Sequence, residues 1–203
     1  MAAALTLLLC GTAAAIPITY TFTGTGTGVV GGAGGHNSSA GISFLADTGG
    51  TAFTTFTVAI SSDTSTVTSG GGSFRNSGTA TFVAGALTGT FAGFVVDNTT
   101  APGFLTFGEL VPAPVFAVAE GLFDNPIFLT YNLGTALSPT TGSLSVQPSI
   151  FSTTSGDLEF DTITTLSFQA TTAAPVPEPA SLLLLGVGLI GVVTARFRQT
   201  RKT

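Results

Sequence analysis

Between residues 16 and 175, apolar side chains return at every second position over short stretches. Tyr20 and Phe22 alternate with Thr19, Thr21 and Thr23. Phe56, Val58 and Ile60 alternate with Thr55, Thr57 and Ala59, and Leu166, Phe168 and Ala170 with Thr165, Ser167 and Gln169. Successive side chains of an extended strand point to opposite faces, so each apolar set lines one face and its polar set the other. More continuous runs, Phe91 to Val96 and Val115 to Ala119, predict central strands or strands covered on both faces. Turn residues punctuate the runs: Gly49-Gly50, Ser69 to Gly72, Asp97-Asn98, Asp124-Asn125-Pro126, Ser138-Pro139 and Ser155-Gly156. The pattern predicts an all-β body over residues 16–171, a β-sandwich or jelly roll of about eight to eleven short strands. No internal repeat of fixed period stands out.

The pattern changes at both ends. Residues 1–15 read as a secretory signal peptide, with an apolar stretch around Leu5 to Cys10 and the small residues Ala13-Ala14-Ala15 before a cleavage point after Ala15. The amino-terminal region lacks Lys and Arg, which an upstream start codon would supply. Cys10 raises a lipoprotein reading, but Leu9 stands where a small residue is needed.

At the other end, Pro175 to Pro179 belongs to a proline-rich linker over 172–179. An uncharged apolar run over 180–195 follows, and then the basic cluster Arg196, Arg198, Arg201 and Lys202 in a tail over 196–203. As a helix, the 16-residue run would be about 24 Å long, short for a bilayer core of about 30 Å. It is apolar on every face and sits beside four charges, which favours a transmembrane helix over the alternative of a buried core helix. The cluster behind it should act as a stop-transfer signal and remain cytoplasmic, with the body on the far side of the membrane.

Charge placement narrows the function classes. Only 7% of residues are charged, against roughly 25% in ordinary soluble domains. Four of the five basic residues lie in the tail. The body holds nine carboxylates against Arg75 alone. Such a surface repels phosphate backbones, so nucleic acid is excluded as a partner. Cys10 is the only cysteine and lies in the leader, so the body has no disulfide or thiolate metal site.

Candidate chemistry is sparse. His36, the single histidine, lies in a glycine-rich stretch over 31–39 that predicts an exposed loop rather than a supported general base. Asp157, Glu159 and Asp161 alternate, so on a strand their carboxylates share one face. Three hard oxygen ligands are a Ca²⁺ candidate, but the loop pattern of a dedicated calcium site is missing and a solvated outer face is the favoured reading. No carboxylate pair marks a glycosidase cleft. The threonines of residues 19–27 raise ice binding, against which stands their confinement to one stretch of the chain. The body is read as non-enzymatic, with no cofactor.

Taken in order, Val176-Pro177-Glu178-Pro179-Ala180-Ser181, the glycine-interrupted apolar run and the terminal arginines resemble the PEP-CTERM sorting tail, also known as the ice-binding protein C-terminal domain. Pro177, Glu178 and Pro179 match its signature tripeptide. The resemblance implies a Gram-negative bacterium that makes exopolysaccharide. It implies transient anchoring in the membrane, recognition by an exosortase-type protease, and delivery to the cell surface or the extracellular matrix. Two prolines around Glu178 favour an extended segment, the form a protease takes up. The opening Tyr20 to Thr27 and the segment Gly156 to Phe160 are also similar to bodies that carry such tails, a likeness that adds nothing on activity.

Overall fold

A computed structural model describes residues 15–32, 50–110, 121–145 and 149–173 of the 203-residue chain. The chain divides into two units, Met1–Ala173 and Ala174–Thr203. All the described residues belong to the first.

They form eleven strands: β1 (Pro17–Gly32), β2 (Thr51–Asp63), β3 (Thr68–Gly70), β4 (Ser73–Ala84), β5 (Leu87–Asn98), β6 (Phe104–Glu109), β7 (Gly121–Phe123), β8 (Leu137–Thr141), β9 (Ser143–Ser145), β10 (Ser149–Thr153) and β11 (Gly156–Thr172). Two short 3-10 turns, Thr64–Thr66 and Pro126–Leu129, are the helical pieces among the described residues. Ala15 is exposed, and Ile16 beside it exchanges bonds with Thr64, whose backbone N–H donates to Ile16 O at 2.9 Å.

All-β character and the strand number follow the alternation. The sheet arrangement is a finding. One antiparallel sheet runs β10-β11-β1-β2-β4-β5-β6-β7-β9, with β3 on β4 and β8 on β11. Only Gly142 separates β8, which pairs with β11, from β9, which pairs with β7. The sheet therefore curls back on itself and nearly closes. At the opposite seam the turn between β10 and β11 reaches β5: Thr154 N–H donates to Thr90 O at 3.0 Å, and Ser155 Oγ donates to Thr88 O at 2.5 Å. Near-closure limits the exposed sheet edges and gives one interior face.

That interior is filled with phenylalanine. Phe22 meets Phe107 and Phe168 at ring-centroid distances of 4.6 and 4.9 Å, and Phe56 meets Phe160 edge-on at 4.7 Å. Tilted and edge-on pairs add to the apolar burial that drives folding. Along β1 the inward positions run Ile18, Tyr20, Phe22, Gly24, Gly26, Gly28 and Val30, all buried. The glycines have a steric cause. A Cβ on Gly28 would lie 2.1 Å from Glu159 O and 2.5 Å from the Phe53 ring, and one on Gly26 would lie 2.1 Å from Thr162 O. Backbone and rings close over this stretch because it has no side chains, and the β1–β11 register shifts there.

Two expected turns are strand instead. Asp97-Asn98 ends β5, with Asp97 opposite Phe74 and Leu105. Its carboxyl points into the core, where length and polarity alone predict a loop. Ser138-Pro139 lies within β8, whose pairing with β11 slips between Phe168 and Ala170. Proline, without an N–H, fits an interrupted ladder. The remaining punctuation agrees: Gly71 and Gly72, at φ of 60° and 79°, turn β3 into β4, and Asp124-Asn125 leads into the turn at Pro126. The apolar run Val115 to Ala119 and the first glycine of Gly49-Gly50 lie outside the described residues.

Candidate functional site

The register of β1 turns its threonines into rows that cross the sheet. Thr23 faces Ser167 of β11 and Thr57 of β2, and Thr57 faces Val83 of β4. Two residues back, Thr21 lies between Gln169 and Ala59, and Ala59 faces Thr81, which faces Thr90. Next, Thr19 lies between Thr171 and Ser61, and Ser61 faces Thr79. Thr25 lies between Thr165 and Thr55. Sheet geometry spaces such a grid at about 4.8 Å across strands and about 6.8 Å along them. The threonines do recur, but from strand to strand and not along the chain, which is why the sequence showed them in one stretch only.

These rows carry no charged side chain. Their hydroxyls are partly tied to one another: Thr25 Oγ1 and Thr165 Oγ1 are 2.6 Å apart, and Thr27 Oγ1 and Thr162 Oγ1 2.8 Å. A shallow hollow of about 480 Å³ lies over the Thr23–Thr25 stretch, walled by Thr55, Thr57, Thr141, Thr165 and Ser167. Its lining is uncharged, with hydroxyls set beside Phe56, Val83 and Leu166, which suits a neutral ligand that has both polar and apolar surface.

Of the three acidic candidates, two have described side chains. Glu159 is 7% exposed, so the expected solvated face does not hold for it: on β11 it lies opposite Val29 of β1 and Ile150 of β10. Asp157 is half-buried, and the side chain of Asp161 lies outside the described residues. Among the described residues no three His, Cys, Asp or Glu gather as metal ligands. Glu109, also buried, accepts the Ser152 N–H at 2.8 Å on Oε2.

A polar group of a different kind lies inside the sheet. The Tyr20 hydroxyl donates to Leu133 O at 2.5 Å and accepts from Asn76 Nδ2 at 2.7 Å. The Asn76 Oδ1 accepts from Ser62 Oγ at 2.8 Å and Thr66 Oγ1 at 2.6 Å. Asp97 is fully buried nearby, and neither carboxyl oxygen has a hydrogen-bond partner. Burial pushes its pKa up to about 8 and that of Tyr20 to about 12. Tyr131 is raised as well, by burial and then by the nearby Tyr20 and Asp97. At the surface, the Ser65 hydroxyl and N–H hold Asp63 below the usual carboxylate range. The sequence flagged none of this cluster; an aspartate in phase with Phe91 and Val95 was the available signal.

His36, Pro177, Glu178, Pro179, Arg196, Arg198, Arg201 and Lys202 lie outside the described residues, as does the apolar run over 180–195. Among the described residues no helix is long and apolar enough to cross a membrane.

Neither the curated proteins nor the solved structures give a match to this chain. The body's grid and core thus carry no family label, and the label comes from the other end. Residues 175–199, which include the Pro177-Glu178-Pro179 tripeptide, Arg196 and Arg198, match the family model of the PEP-CTERM protein-sorting motif, and the chain carries that motif.

Proposed function

We propose that this chain is a non-enzymatic surface or matrix protein whose β-rich body is exported, briefly anchored by its tail and then delivered outside the cell, in association with exopolysaccharide. The motif at residues 175–199 carries this reading. A PEP-CTERM tail implies an exported protein, transient membrane association and exosortase-type processing. The finer steps of the proposal are a signal peptide cleaved after Ala15, a membrane helix over 180–195 and a cytoplasmic cluster of Arg196, Arg198, Arg201 and Lys202. The non-enzymatic part is supported by chemistry: the body's outward side chains are mostly threonine and serine, several bonded to each other. Fractionation of cells with and without the exosortase is the test. A shortened, membrane-free form made only when the protease is present is expected. An identical full-length membrane form in both strains would defeat the sorting step.

The threonine grid favours a second reading, a binding module for a neutral ligand, either a glycan or an ice surface. Its support is the uncharged hollow and the two-dimensional repeat of hydroxyl and methyl groups. Ca²⁺ has no such support, since no three carboxylates gather among the described residues. A glycan array and an ice-recrystallisation assay separate the two ligands, each run beside Thr25→Tyr, which fills the hollow. No response from the unaltered chain in either assay removes this reading.

A further inference from the structure

Residues 124–136 connect β7 to β8 and close one end of the interior. Within this segment Asp124 and Leu133 both have φ of 57°, a left-handed conformation that residues with a Cβ disfavour. Packing holds it in place. Phe128 and Leu133 are fully buried, Leu133 O accepts the Tyr20 hydroxyl, and Tyr131 OH donates to Thr135 O at 2.9 Å. The Tyr131 ring meets Phe168 edge-on, with centroids 5.9 Å apart.

Against this segment sits Asp97, with no exposure and no hydrogen-bond partner for either oxygen. Its neighbours among the described residues come from β4, β6 and the 124–136 segment. β4 contributes Phe74 opposite it, with Asn76 on the same face, β6 contributes Leu105, and the 124–136 segment contributes Tyr131, which also lies near Tyr20 of β1. Of these only the two phenols titrate. Arg75 lies on the other face of β4, its guanidinium 4.6 Å from the centre of the Phe94 ring. Glu109, another buried carboxyl, lies four residues beyond Leu105 on β6 and accepts Ser152 N–H. Ionised, Asp97 would place an uncompensated charge among aromatic rings, which a neutral carboxyl avoids.

We propose that Asp97 is the trigger of a pH-sensitive latch: neutral, it lets residues 124–136 close the end of the sheet, and ionised, it drives that segment away and opens the aromatic interior. The two left-handed non-glycine residues store backbone strain in this segment, and release relieves it. The carboxyl's raised pKa places the release in mildly alkaline solution.

Hydrogen–deuterium exchange of the full chain tests this, with rates corrected for the chemical effect of pH. Between about pH 6 and about pH 9.5, exchange in peptides covering 124–136 should accelerate at least about tenfold, while β1 and β2 stay protected. Asp97→Asn should keep the segment protected at both values. An equal acceleration in Asp97→Asn, no acceleration in the unaltered chain, or loss of protection throughout the body would each overturn the proposal. Infrared spectra of the unaltered chain give a readout that does not need the variant. A protonated carboxyl band should persist near neutral pH and vanish at the alkaline end, and its absence at neutral pH would overturn the proposal as well.

Discussion

The Asn76 side-chain amide donates to the Tyr20 hydroxyl across a sequence separation of 56 residues, at 2.7 Å, inside the sheet. The same hydroxyl donates onward to Leu133 O. One phenol thus links β1, β4 and the segment between β7 and β8. Removing it leaves a buried amide and a buried carbonyl each short of a partner, a cost of about 1–3 kcal/mol.

Tyr20→Phe should therefore lower stability by about 1–3 kcal/mol, with the fold and the ring packing kept. Asn76→Ala should cost at least as much, because its amide also donates to Asp63 O and its carbonyl serves Ser62 and Thr66. The double variant should lose less than the sum, since the two side chains share a bond. Urea unfolding of the four proteins measures the coupling. Strict additivity would show that the bond contributes nothing.

The glycines of β1 give a second test. Gly28→Ala sets a methyl carbon 2.1 Å from Glu159 O, where only backbone movement makes room. Overpacking of this kind costs about 1–3 kcal/mol. The neighbouring Thr27→Ala removes an exposed hydroxyl paired with Thr162 and should change stability by about 0.5 kcal/mol or less. Thermal melts of the pair distinguish an interior constraint from a strand preference. Equal effects would mean that the glycine is placed for some other reason.

Stability should depend on pH through Asp97. Burial raises its folded pKa from the ordinary 3.8 to about 8, so in that interval the native state holds a proton that the unfolded chain has lost. Its contribution is fully present below the unfolded pKa and is lost progressively as pH rises through the folded one. Urea midpoints should fall from acid toward mildly alkaline pH, and Asp97→Asn should flatten the slope. A midpoint that rises over this range in the unaltered chain, and equally in the variant, would locate the titration elsewhere.

How much of this was legible in the sequence depended on whether the cause was local. Alternation around Phe22, Val58 and Phe168 placed strands and their inner faces, because period two is a property of one strand. Pairing between strands is not, and so the rows joining Thr23 to Ser167 and Thr57 were hidden. Near-closure of the sheet depends on Gly142 letting one stretch of chain pair with β11 and then with β7, a relationship between distant segments. Asp97-Asn98 read as a turn because both residues favour turns. Only the pairing with Phe74 and Leu105 and the nearby Tyr131 reveal why the strand continues and the carboxyl is interior. At the tail the reverse held: the motif is contiguous, and residues 175–199 were legible without any structure.

The tripeptide of that tail offers two separable features to a protease, a shape and a charge. Pro177 and Pro179 remove backbone donors on both sides of Glu178, and each proline biases the residue before it toward an extended conformation. If a protease takes up this segment in extended form, the two prolines lower the cost of ordering it and Glu178 is the one charge of the tripeptide. Glu178→Gln keeps the backbone and removes the charge, whereas Pro177→Ala with Pro179→Ala keeps the charge and frees the backbone. If both features are read, each variant should accumulate as an unprocessed membrane-associated chain in cells that hold the exosortase. Intact-mass measurement of membrane and culture fractions separates the cases. Normal processing of Glu178→Gln beside blocked processing of the double alanine variant would show that shape alone is read; the opposite result would assign recognition to the carboxylate, and normal processing of both would remove the tripeptide from the recognition step.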